Sequence, residues 1–233
     1  MGPQNLPLHI REVRQRIAQA AAACGRNAQS VTLLAVSKAQ PPEMIAAAAA
    51  AGVQDFGESY LTEALQKIAA VQDRTLTWHF IGRVQANKTR DIATHFAWVH
   101  ALDRLKVAER LDGQRPAAAA PLNVCLQVNL GGEASKGGVT PQELPALAAQ
   151  VARLPRLQLR GLMCLPPHES DPVRQRHWFA QLRGLQDALN AAGARLDTLS
   201  MGMSDDFEAA IAEGATLVRL GTVLFGARAT ISP

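Results

Sequence analysis

Aromatic residues are scarce in this chain, with three tryptophans, six phenylalanines and a single tyrosine, Tyr60, making up 4% of 233 residues. A core must therefore be built from alanine and branched aliphatics. Cysteine is scarcer still: Cys24, Cys125 and Cys164 are odd in number, far apart and without C-x-x-C spacing, which argues against a disulfide framework and a zinc site. A reducing, cytoplasmic setting is expected. No apolar run approaches the roughly 18 to 20 residues that cross a bilayer. The first residues carry Pro3, Pro7, Glu12 and the arginines at 11, 14 and 16, so they offer no apolar stretch for secretion. Nor is there an excess of one charge. The 24 basic residues exceed the 20 acidic ones by four, and the arginines are dispersed, so no nucleic-acid surface is indicated.

What remains is ordinary globular composition, 48% hydrophobic and 19% charged. From Val31 onward, short β-branched or apolar runs alternate with longer alanine-rich stretches, the pattern of parallel strands joined by helices. Strands are predicted at Val31–Lys38, Asp55–Ser59, Thr77–Gly82, Trp98–Leu102, Asn123–Leu130, Leu159–Leu165, Thr198–Met203 and Leu217–Gly226. Helices are expected over 42–51, 60–71, 85–94, 104–111, 141–154, 173–192 and 205–213, with prolines at their starts and glycines after their ends. A further helix over 8–24 is expected to close the bottom of the barrel. The fold class is then α/β, a single-domain (β/α)8 TIM-type barrel with an extra N-terminal helix; an open doubly wound sheet is the alternative that counting leaves.

In such barrels the chemistry sits at the C-terminal ends of the strands. Alternation puts Thr32, Leu34, Val36 and Lys38 on one face of the first strand. If that face points inward, a lysine enters the barrel mouth, where low dielectric favours the neutral amine that condenses with an aldehyde. By position alone, a surface lysine is the more ordinary outcome. The last two strands shift the balance. Ser204 follows Gly202 at an expected helix N-cap, and Gly221-Thr222 follows the eighth strand, where barrels commonly bind phosphate. Arg219 lies two residues before Gly221, so both should face the interior, where a guanidinium needs a partner. A pyridine nitrogen would accept its hydrogen bond and stay unprotonated. His79, at a strand start, can serve as an acid or base but is more ordinarily a hydrogen-bonded core residue. Lys136 either pairs with Glu133 in a loop or offers a second amine. No metal site is expected.

The stretches Leu33–Lys38, Phe56–Tyr60, His79–Lys88, Val128–Gly137, Gly161–Met163, Leu199–Asp206 and Val218–Thr222 together resemble the pyridoxal phosphate homeostasis protein family, whose fold is like the N-terminal barrel of alanine racemase. The likeness covers nearly the whole chain. It implies pyridoxal 5'-phosphate (PLP) as cofactor, a Schiff base on Lys38, Arg219 at the pyridine nitrogen, and Ser204, Gly221 and Thr222 around the phosphate. Ser59, Met201 and His79 complete the implied cofactor-binding set. Ser59 stands where the family pattern has asparagine.

The resemblance implies a PLP carrier of vitamin B6 homeostasis, with PLP-dependent apo-enzymes as candidate recipients and no catalytic residue. A closed barrel that needs no second domain is expected to be monomeric, and the lack of a long apolar run leaves no membrane partner expected. A weak PLP-dependent racemase or lyase is the alternative, and a cofactor-free barrel enzyme acting on a phosphorylated metabolite is a further one. Alanine racemase draws its second base, a tyrosine, from a dimer with a separate β domain. Here only seven residues follow Gly226, so no second domain is expected, and Tyr60 is the sole tyrosine.

Overall fold

The computed structural model describes residues 3–133 and 135–226. In chain order these residues form α1 (Leu6–Ala23), β1 (Thr32–Val36), α2 (Pro42–Ala50), β2 (Asp55–Glu58), α3 (Leu61–Val71), β3 (Thr77–Phe80), α4 (Thr89–His95) and β4 (Trp98–Leu102). There follow α5 (Leu105–Gln114), β5 (Leu122–Val128), α6 (Leu144–Val151), β6 (Leu157–Cys164), α7 (Pro172–Ala191), β7 (Thr198–Ser200), α8 (Phe207–Ala212), β8 (Leu217–Leu220) and α9 (Thr222–Phe225). The strands close into one parallel barrel in sequence order, β8 returning to β1 through pairs from Thr32 with Leu217 to Ala35 with Leu220. The expected barrel is therefore present, and the open-sheet alternative is ruled out.

Strand alternation sorts the side chains into two compartments. Outward residues such as Phe56, Phe80, Val99, Leu126, Leu162 and Leu199 join the helices in the main core. Inside the barrel Ala101, Cys125 and Met163 pack together with Trp98 and Leu165 at their edges, and Leu34 and Leu217 are buried beside Arg219 and Ser200. Polar side chains share this interior: His79, His100, Ser200 and Arg219 are all buried. A bulge in β4 places His100 and Ala101 between two outward residues, Val99 and Leu102, opposite a shorter stretch of β5. Gly161 lets β6 approach β7 closely, since a Cβ there would lie 1.7 Å from the Thr198 carbonyl oxygen.

Three expectations need correction. The helix α1 does not cap the bottom. Its stripe of Leu6, Ile10, Val13, Ile17 and Ala21 is buried, and the helix packs beside α2 on one flank and α8 and α9 on the other. It fills the outer-ring place that the one-turn α9 is too short to occupy. The eighth strand does not run to Gly226: it ends at Leu220, and the apolar residues after it form α9. Finally, α8 starts at Phe207 with Asp206 at its N-cap, so Ser204 is not the cap of that helix. Among the described residues no helix is long and apolar enough to cross a membrane.

Candidate cofactor-binding site

A cavity of about 480 Å³ opens at the C-terminal end of the barrel, within the size range of small-molecule sites. Lys38, Ser59, Ser204, Arg219, Gly221 and Thr222 all line it, together with Lys136. These residues come from the ends of five strands far apart in the chain, β1, β2, β5, β7 and β8, and barrel closure alone gathers them.

Lys38 sits in a tight turn after β1. The next residue, Ala39, has a φ of 61°, a left-handed conformation unusual for a residue with a Cβ. A buried ionic cluster holds the turn in place. The Ala39 amide donates to Glu63 Oε1 at 2.6 Å, the Ser37 hydroxyl donates to Glu58 Oε1 at 2.6 Å, and Lys67 Nζ donates to the Ser37 carbonyl at 2.7 Å. Lys67 also pairs with Glu58 at 2.8 Å and with Glu63. Glu58 is fully buried, its Oε2 has no hydrogen-bond partner, and burial pushes its carboxyl above the ordinary value against the lowering effect of Lys67.

On the opposite wall Ser204 Oγ accepts from the Val223 amide at 3.3 Å, so the loop after β7 is stitched to the first turn of α9. The Thr222 amide, in that same first turn, has no intrahelical acceptor. A backbone this exposed at a helix start, with a serine hydroxyl beside it, has the donor set of a phosphate site. Gly202, at φ 92°, carries no Cβ because one would lie 2.7 Å from the Cβ of Ala210.

Arg219 forms the floor. It is 5% exposed, and its Nη1 donates to the Ser200 carbonyl at 2.6 Å and to Ser200 Oγ at 3.0 Å, while Nη2 donates to the Cys164 carbonyl at 2.9 Å. Three of the five N–H groups are thereby used. Among the described residues the Nε–H has no hydrogen-bond partner. Burial lowers the guanidinium's pKa, yet arginine does not give up its proton in proteins.

The family is decided by comparison with known proteins. The model of the alanine racemase N-terminal domain matches residues 8–229. A pyridoxal phosphate homeostasis protein of Pseudomonas aeruginosa is 59% identical over 220 residues, 94% of each chain. That of Escherichia coli K12 is 50% identical over 223 residues, covering 94% of this chain and 95% of the other. The chain belongs to the pyridoxal phosphate homeostasis protein family. Among solved structures, PipY of Synechococcus elongatus with PLP bound superposes with a TM-score of 0.81 at 39% identity, over 92% of this chain and all of the other.

Against this family background the expected residues divide. Lys38, Ser59, Ser204, Arg219, Gly221 and Thr222 come together; Met201 and His79 do not join them at the cavity. Ser200 faces the interior, so alternation turns Met201 outward, where it is buried in the main core. Met203 lines the cavity in its place. His79 does point inward, but two residues below Ile81, which reaches the cavity, and it bonds Asp55 and His100 instead. Lys136 pairs with Glu133 at 2.7 Å and donates to the Pro166 carbonyl at 2.8 Å while lining the cavity. Sequence reasoning missed the Glu58, Glu63 and Lys67 cluster, as well as His100 and Ser200 beneath Arg219.

The two interior histidines give a testable pH dependence. Burial pulls His79 below the ordinary histidine value despite Asp55, and pulls His100 well below it, with repulsion from His79 and Arg219 added. The unfolded chain takes up protons near pH 6.5 that the native state refuses, so native stability is lost as pH falls below that value. Urea unfolding at stepped pH should show stability dropping between pH 7 and 5 by up to about 1.4 kcal/mol per pH unit for each histidine. A flat profile would contradict two neutral buried rings.

Proposed function

We propose that the protein holds PLP covalently on Lys38 and serves vitamin B6 homeostasis as a monomeric, single-barrel carrier in the cytoplasm, buffering the cofactor and handing it to apo-enzymes without robust catalysis. The observation that carries this reading is the convergence, in one cavity, of an amine, a cationic floor and a phosphate-type donor cup. It matches the three chemical parts of PLP. The donor sets fit: Ser204 with the Gly221 and Thr222 backbone would hold the phosphate, the Nε–H of Arg219 would donate to the ring nitrogen, and Ser59 would line the ring edge. When bound, PLP supplies an aldehyde that condenses reversibly with amines, on a ring whose electron-withdrawing power is modest if its nitrogen stays unprotonated.

The residues around the cavity support a carrier over a catalyst. A racemase needs a second base, and Tyr60, the sole tyrosine, is 63% exposed and is not among the residues lining the cavity. The acid-base groups that do line it, among the described residues, are Lys38, Lys136, Arg83, Arg219 and Asp205. Of these, Lys136 is already held by Glu133 and Pro166. Solvent reaches the cavity mouth, which suits loading and release of the cofactor.

The test uses PLP-loaded protein. It should transfer PLP measurably to a PLP-dependent apo-enzyme and turn over D- or L-amino acids no faster than free PLP. Stereospecific turnover above that background would replace the carrier reading with a weak racemase or lyase.

A further inference from the structure

The floor of the cavity continues downward as a chain of hydrogen bonds. Arg219 Nη1 meets Ser200 Oγ at 3.0 Å, Ser200 Oγ meets His100 Nδ1 at 2.7 Å, His100 Nε2 meets His79 Nδ1 at 2.9 Å, and His79 Nε2 meets Asp55 Oδ1 at 3.0 Å. These side chains come from β8, β7, β4, β3 and β2, so the chain crosses the barrel interior. Ser200 and His100 are fully buried, and His79 is 1% exposed. Asp55 is 27% exposed, in a cleft of about 310 Å³ lined by residues at the opposite, N-terminal ends of the strands.

The two ends dictate the direction of every link. A guanidinium only donates and a carboxylate only accepts. Ser200 Oγ, accepting from Arg219, must pass its own hydrogen to His100 Nδ1. His100 is then protonated on Nε2 and donates to His79 Nδ1, and His79, protonated on Nε2, donates to Asp55. Both rings are neutral and every proton has one place. Reversing any link would leave a buried hydroxyl hydrogen without an acceptor or set two ring N–H groups against each other. Hydrogen bonds aligned head to tail polarise one another, so the carboxylate's charge at one end strengthens the link at the other. Such a chain occupies barrel space that aliphatic side chains would otherwise fill, in a position where each missing partner is costly.

We propose that Ser200, His100, His79 and Asp55 are positioning residues for Arg219, and that the charge of Asp55 at the far mouth of the barrel governs how firmly Arg219 holds the ring nitrogen of the cofactor. The proposal rests on the reading that Arg219 faces PLP. The carboxylate acts through the chain and touches neither cofactor nor cavity. Asp55→Asn keeps the shape and an acceptor for His79 but removes the charge. His100→Phe severs the chain in its middle.

The experiment loads wild type, Asp55→Asn and His100→Phe with PLP, and records the visible absorption maximum and the rate of PLP release to a trapping apo-enzyme. Loss of a charge-assisted link should shift the maximum and speed release roughly tenfold in Asp55→Asn, with a larger change in His100→Phe. The absorption maximum reports the ring's electronic surroundings, which a purely structural role for a residue at the opposite mouth would leave unmoved. Asp55→Asn with the wild-type maximum and release rate would overturn the proposal, and it decides alone if His100→Phe does not fold. Absence of a visible band in wild type would sink the PLP reading itself, a distinct failure.

Discussion

Lys38→Ala will leave the protein without a visible absorption band after incubation with PLP and without cofactor trapped by borohydride. Only a lysine placed inside the cavity with its amine near the ring's aldehyde can make that bond, and Lys38 is set there by the turn after β1. Lys136 lines the same cavity, but its ammonium is occupied by Glu133 and by the Pro166 carbonyl, so it does not take over. The donors of Arg219, Ser204 and α9 survive the substitution. The variant should therefore still bind PLP non-covalently, visible as protection of the cavity or retention on a sizing column. Reduction and peptide mapping distinguish the outcomes: label on Lys38 in the wild type and none in the variant. Wild-type yield of covalent label in Lys38→Ala would remove the lysine from its assigned role.

Lys67→Met will cost the fold about 3 to 5 kcal/mol, the usual penalty for stranding one member of a buried ion pair. Lys67 is 4% exposed and is the cation that serves Glu58, which is wholly buried and already has one oxygen without a hydrogen-bond partner. Methionine fills the space but leaves the carboxylate with the Ser37 hydroxyl as its remaining donor. Glu58 will then take a proton, so the deficit should be greatest at neutral pH and shrink under mild acid. Adding Glu58→Gln to Lys67→Met should restore part of the loss, because the stranded charge is gone; urea denaturation of the single and double variants measures the coupling. Stability equal to wild type in the single variant would show that the cluster is expendable. The same loss should loosen the Ala39 turn and with it the seat of Lys38.

The barrel was legible because each strand announces itself by a short apolar run and each helix by a longer alanine-rich one. The ends were less so. Residues 217–226 read as one strand, and nothing in composition marks Leu220 as the point where the chain passes into a single helical turn. The place of α1 depends on contacts with α8, almost the whole chain away, and no local pattern encodes such a pairing. At the site, Lys38, Arg219 and the phosphate-type loops stood out as polar residues at strand ends. Lys67 did not, because Glu63 and Lys67 four apart look like an ordinary exposed helical pair. One signal was available: Leu61, Ala64 and Lys67 are spaced along one face of α3, and all three are buried. His100 was hidden by the β4 bulge, which breaks the alternation that would have turned either His100 or Ala101 outward.

The seat of α1 in the outer ring has a consequence for biosynthesis. Its apolar stripe from Leu6 to Ala21 is made about two hundred residues before two of its three partner α-helices, α8 and α9. Vectorial synthesis thus leaves a sticky helix waiting, through some two hundred residues of elongation, for the surface that will cover it. The ring of helices can seal only after α9 has emerged. Late closure of this kind favours slow, long-range folding over stepwise completion of successive units.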